Sequence, residues 1–431
     1  MVKKTVLSLV CTTALFSSEY EVEQLKKQMA QLQQQLYEMQ QQIKVLEKQS
    51  FKEEASKVES AQPVTSAESS LTHVPEIELV LNGGYTSRNI SNYNYSNGSI
   101  PGFIDAGNME IPFNAKNGFN FNYADVGLSA DIDPALEASA IFHIHGDGTL
   151  EIEEAYIITR ALEHGFGFKA GKLKSAFGKS NEQHHHTWNF EDKELINFAL
   201  FGIDGLGGEG AQLQWTAPTP FYLMSGIELF NGNPNQGFSA KESASTAVGY
   251  LKIGSEIGEG KLSSGISYAQ GKSEIQNIDG SGNLIPDSFS DYGQTRLYGA
   301  DVTFEYPLDG YGALTWQNEW IQRNKDTAAG VEKQAGYYSE LLYQFNDHWA
   351  MGVRYDEIYK NETTDPLTSI EHLNRTSAKL EYKPFESSRF RLQYNQDHSK
   401  YIANNQKTLH EVIVNYTIEI GGHEAHGGER K

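Results

Sequence analysis

Arg389-Phe390-Arg391-Leu392-Gln393-Tyr394-Asn395 is followed, after a short connection, by Glu411-Val412-Ile413-Val414-Asn415-Tyr416-Thr417-Ile418-Glu419-Ile420. In the first stretch Phe390, Leu392 and Tyr394 alternate with charged and polar residues. In the second, Val412, Val414, Tyr416, Ile418 and Ile420 alternate with Glu411, Asn415, Thr417 and Glu419. Tyr298, Ala300, Val302, Phe304 and Tyr306 repeat the pattern against Gly299, Asp301, Thr303 and Glu305. A period of two puts alternate side chains on opposite faces of a strand. A soluble sandwich alternates in the same way, so the period alone does not choose between water and lipid.

Working outward, strands fall near 76–89, 118–131, 135–145, 150–161, 165–174, 209–217, 220–231, 245–256, 261–272, 295–306, 311–323, 335–345, 348–360, 373–383, 388–398 and 408–420. The joints after even-numbered strands are tight, as at Asp133-Pro134, Glu163-His164, Pro218-Thr219, Asn346-Asp347 and Pro384-Phe385-Glu386. Those after odd-numbered strands are long: 90–117, 175–208, 232–244, 273–294, 324–334, 361–372 and 399–407, with Gly146-Asp147-Gly148 the exception. Sorting of loops by parity has a physical cause in a transmembrane barrel, whose periplasmic turns are minimal and whose outer loops are free to grow. The fold expected is therefore all-β: an antiparallel transmembrane β-barrel of about sixteen strands over 76–420. Aromatics beside the joints, among them Tyr85, Phe119, Trp215, Tyr222, Tyr306, Trp349, Tyr382 and Phe385, fit an interfacial girdle.

Composition narrows the function classes. The chain has 431 residues, 35 basic and 56 acidic, for a formal net charge of −21. That balance argues against nucleic acid as a partner. No run of about 18 apolar residues is present, so no transmembrane helix is expected. Lys3, Lys4, the apolar stretch Thr5 to Phe16 and small Ser17 and Ser18 read as a signal peptide over 1–18. The single cysteine, Cys11, is expected to leave with it.

Val22, Leu25, Met29, Leu32, Leu36, Met39, Ile43 and Leu46 recur in steps of three and four, which is an a/d heptad seam. The segment 20–49 is thus expected to be an α-helical coiled coil, its seam leaving dimer and trimer both open. A single amphipathic helix lying on the barrel or the membrane is the other reading. Residues 50–75 read as a linker, and 421–431 as a histidine-containing tail. With an even strand count both barrel ends face the periplasm, and so does the coiled coil.

A Gln-rich coiled coil ahead of a sixteen-strand barrel resembles the phosphate-selective porin (O and P type) superfamily. Gly171-Lys172-Leu173-Lys174-Ser175-Ala176-Phe177-Gly178 is similar to that family's Gly-Lys-x-x-x-Pro-Phe-Gly stretch, with Ala176 in place of Pro. Asn181-Glu182-Gln183-His184-His185-His186-Thr187-Trp188-Asn189-Phe190-Glu191-Asp192 and Gly210 to Thr219 look like a less characterised branch, the zinc-regulated type of outer-membrane receptor or porin. The resemblance implies the outer membrane of a Gram-negative bacterium, insertion by the barrel-assembly machinery and a homotrimer. It also implies that the third outer loop, 175–208, folds inward and narrows the pore with His184, His185, His186, Glu191, Asp192, Lys193 and Glu194. Family barrels usually finish on an aromatic residue; this chain continues past Ile420. Lumen-facing charges are expected at Arg354, Arg389 and Arg391, but Asp301 and Glu305 accompany them, and phosphate specificity is not carried over.

Histidines recur at spacing two, His143/His145 and His184/His186, and at spacing three, His423/His426. With carboxylates nearby they suit Zn²⁺ or another divalent ion, His184 and His186 foremost. No cofactor is otherwise expected. Motifs of serine hydrolases, zinc proteases and P-loop enzymes are absent, and no catalytic residues are assigned. The expectation is a passive diffusion channel for small hydrophilic solutes or ions, cation-preferring on charge. The alternatives are a substrate-specific or zinc uptake channel, and a structural tether to peptidoglycan or a periplasmic partner through the coiled coil.

Overall fold

A computed structural model of the chain describes residues 75–159, 162–231, 238, 244–278, 284–365 and 367–421. The expected signal peptide, the coiled coil with its whole seam, the linker up to 74 and the tail beyond Gly421 lie outside the described residues.

Sixteen strands close into one antiparallel barrel, each hydrogen-bonded to its neighbours in the sequence. They are β1 (Glu76–Arg88), β2 (Gly118–Asp133), β3 (Leu136–His145), β4 (Leu150–Thr159), β5 (Phe166–Lys174), β6 (Gly207–Thr216), β7 (Tyr222–Asn231), β8 (Ala244–Ile257), β9 (Gly260–Ile278), β10 (Leu284–Pro307), β11 (Ala313–Thr327), β12 (Gly330–Gln344), β13 (Trp349–Glu362), β14 (Leu373–Phe385), β15 (Ser388–Asp397) and β18 (Leu409–Gly421). A two-residue hairpin, β16 (Tyr401–Ile402) and β17 (Asn405–Gln406), stands in the last outer connection. The seam closes as β1 pairs β18 with Gly84 opposite Asn415. Closure leaves no unpaired edge, the condition for strands to cross lipid.

The alternation is inverted relative to a soluble protein. Along β15, Arg391, Gln393 and Asn395 are buried, while Phe390, Leu392 and Tyr394 are exposed. Along β14, Arg375, Ser377, Lys379 and Glu381 are buried, and Leu380 and Tyr382 exposed. Apolar residues outside and polar residues inside make this a membrane-spanning barrel. Rim aromatics pair on the outer surface: Trp349 and Tyr382 at 4.6 Å between ring centroids, Tyr85 and Phe119 at 5.2 Å.

Two expected long loops are corrected. The connection read as 273–294 is 279–283, and the one read as 324–334 is the turn between Thr327 and Gly330. The strands continue in paired register, Lys325 opposite Glu332. Beyond the bilayer neither face meets lipid, so pairing persists where the apolar period has ended.

The loops 89–117 and 175–206 enter the lumen. The first carries helix α1 (Asn92–Ser96), the second helix α2 (Leu195–Phe201). Ile100, Phe177, Leu195, Ile196 and Phe201 form one buried cluster with Leu297, Ile321, Tyr338, Ile358 and Leu373 of the wall. The lumen is thus filled by an apolar wedge against β9–β14, and the polar space lies on the opposite wall.

Candidate functional site

Sequence assigned the constriction to 184–194, and this segment is threaded through the barrel interior. One side of it meets an arginine wall. Arg354 Nη2 and Arg375 Nη1 lie 3.0 and 2.6 Å from Asp192, and both guanidiniums also reach Asp356. Arg391 pairs with Glu191 at 2.9 Å and Glu381 at 2.8 Å. Backbone carbonyls take further guanidinium donors: His186 from Arg389, Trp188 from Arg391, and Lys193 from Arg375. Glu191 also accepts from Asn415 of the closing strand. Charge-assisted bonds of this kind are the strong ones. The arginines therefore act as anchors for the loop. Burial works against the charge of Asp192, but Arg375 and Arg354 outweigh it and hold its carboxyl below the ordinary range.

The other wall is built by a bulge. Ile141 pairs with Glu154 and Phe142 with Ile152, so Glu153 is an extra residue in β4. A bulge re-aims side chains. Here both Glu153 and Glu154 turn into the lumen, their side chains 8 % and 6 % exposed. His184 sits between them, with Nε2 3.0 Å from Glu154 and Nδ1 3.4 Å from Glu153. Burial opposes a charged imidazole, but the two carboxylates raise His184 to about 9. Burial pushes His185 well below the ordinary value, so it is neutral. His186 faces Asp125 at 4.0 Å.

On β3 the His143 and His145 rings lie 4.5 Å apart. His184 and His186 stack at 6.1 Å. Among the described residues, however, the grouping with three ligand atoms within 4.8 Å of one another is His143, Glu153 and His185. Of these, sequence named only His143 as a ligand. Residue 185 is recruited because a 3₁₀ turn over His185–Thr187 replaces the strand geometry on which the spacing argument rests. The signal for Glu153 was Glu151-Ile152-Glu153-Glu154, where an extra acidic residue breaks the period of two.

Above this wall a cavity of about 610 Å³ opens at the outer rim, lined among others by Glu110, Lys116, His145, Asp147, Glu151 and Asp204. Four carboxylates face one lysine there. Asp301, a further expected lumen charge, is half-buried on β10; Glu305 lies on the same face near the inner rim and is exposed. Lys193 donates to Ile203 O at 3.1 Å, and burial together with Lys174 pulls its ammonium down to about 7.

No family model matches the chain. An uncharacterized protein of Aquifex aeolicus (strain VF5) is 34 % identical over 379 residues, covering 82 % of this chain and 80 % of the relative. The chain belongs to that protein's family. In fold, the barrel is similar to a loop L8 deletion mutant of OmpT, an outer membrane protein of Vibrio cholerae, with TM-score 0.52, 11 % identity, and 80 % and 99 % of the two chains covered. The anion-selective porin from Comamonas acidovorans gives the same four values. The outer membrane channel DcaP of Acinetobacter baumannii follows at TM-score 0.50 and 10 % identity, over 83 % of this chain and all of that one. The architecture is thus the one used by outer-membrane porins.

Proposed function

We propose that the chain is an outer-membrane channel for small hydrophilic solutes and ions, with a preference for cations. The observation that carries the preference is the division of charge inside the barrel. Three of the arginines that would attract anions, Arg354, Arg375 and Arg391, are occupied by Glu191, Asp192, Asp356 and Glu381. Among the charged residues lining the open cavity at the outer rim, four are carboxylates and one is a lysine. Like-signed walls raise the local concentration of counter-ions. Outer-membrane proteins with this fold include the Vibrio OmpT described in a trimer form, and we take this channel to be a homotrimer too; the mass of the detergent-solubilised complex checks that part.

Planar-bilayer recording across a KCl gradient tests selectivity. A reversal potential of cation sign is expected. An anion-signed potential, as the description of the Comamonas protein would suggest if it carried over, refutes the preference; absence of any current refutes the channel.

A further inference from the structure

Three buried acceptors converge between β3, β4 and the third loop. His143 Nδ1 lies 2.5 Å from Asp125 Oδ1. That bond fixes a proton on Nδ1 and turns the Nε2 lone pair away from the carboxylate. Nε2 is buried and has no hydrogen-bond partner. Both ring nitrogens of His185 are likewise buried without a hydrogen bond, as is Glu153 Oε2. The other oxygen, Glu153 Oε1, faces Lys174 Nζ at 2.7 Å and His184 Nδ1 at 3.4 Å. Buried polar atoms are nearly always satisfied, so a cluster of unsatisfied acceptors calls for an explanation.

We infer that His143, Glu153 and His185 form a site for one divalent transition-metal ion of the Zn²⁺ class. Two imidazoles and a carboxylate are a donor set such ions accept, with a fourth position open. The ligand atoms lie within 4.8 Å of one another. Tetrahedral Zn²⁺ needs about 3.3 Å between ligands, a closure within reach of side-chain rotation. Asp125 supplies the carboxylate–histidine contact that orients metal-bound imidazoles. Phe113, Tyr123 and Trp188 wall the site: Phe113 and Trp188 lie 4.3 and 4.7 Å from the His185 ring, and Tyr123 5.1 Å from His143. Lys174 and His184 are the competing partners; both face Oε1 and leave Oε2 to the metal. The approach runs from the outer cavity past Glu151 and His145, whose ring contacts His143.

The test is a Zn²⁺ titration of the full-length folded chain in detergent, with folding judged by heat-modifiable gel migration. One tight Zn²⁺ per chain is expected. His143→Ala and His185→Ala should each weaken it about 100-fold or more, and Asp125→Asn about 10- to 100-fold. Exchanging His423 and His426 for Ala should leave the tight site unchanged. A site that survives loss of His143 or His185 overturns the inference, as does a parent that binds no Zn²⁺ beyond what the tail accounts for. Should an Ala variant not fold, Co²⁺ spectra of the parent decide: tetrahedral nitrogen–oxygen bands support the site, and an aquo-like spectrum refutes it. Binding is read without current, so failure of the channel and failure of the metal site are separate outcomes.

Discussion

Asp192 holds the third loop by a single carboxylate shared between Arg354 and Arg375, with Gln393 donating to it as well. Removing one partner of a buried pair costs about 3–5 kcal/mol. Asp192→Ala should fall near the lower end, because Asp356 remains for both guanidiniums. We expect a lower melting temperature in detergent and a larger single-channel conductance as the loop loosens. One residue on, Lys193 offers a pH test. Its folded pKa of about 7 lies below the ordinary lysine value. It is therefore charged below pH 7 and neutral above, and the docked loop gains stability as pH rises from 7 toward the unfolded pKa. The folded loop loses a positive charge as pH passes through 7, so cation preference should increase between pH 6 and 8. Permeability ratios across that range check this, and Lys193→Met should flatten the change. At this scale sequence placed Arg354, Arg389 and Arg391 on the polar face from alternation alone. It did not reveal that Arg354 and Arg375 meet at Asp192, because partners 160 or more residues away in the chain leave no local pattern.

The strands were legible as elements because lipid imposes a period of two over about ten residues. They became illegible where that constraint ends, as in β11 after Arg323 and β12 before Ala335. The helix α2 was missed for a different reason. Leu195-Ile196-Asn197-Phe198-Ala199-Leu200-Phe201 is nearly apolar all round, which suits a helix buried on all sides, but it stands in a stretch read as loop. Its docking depends on a smooth wall. A Cβ at Gly336 would stand 2.9 Å from Ile196 Cδ1 and 2.7 Å from Glu357 O. Gly336→Leu should therefore push α2 off β12 at a cost of about 1–3 kcal/mol. Limited proteolysis of the folded barrel should then cut within 195–201, where the parent resists. Uncut protein would mean that the wall yields and the helix stays.

At the scale of the molecule, the barrel joins its two ends over the longest separation in the chain. The loop 175–206 is held in part by strands made well after it, among them β13 to β15 and β18. Glu191 accepts from Asn415 on β18, and Asn415 also donates to Asn82 on β1. The loop therefore straddles the line along which the cylinder shuts. Such a segment can be lying in place while the last strands arrive. It would then serve as a mould on which the circumference is set. Slower closure is then expected of Glu191→Ala: the fast-migrating folded band should appear later than for the parent in a refolding time course. Equal rates would mean that the cylinder shuts without help from what it encloses.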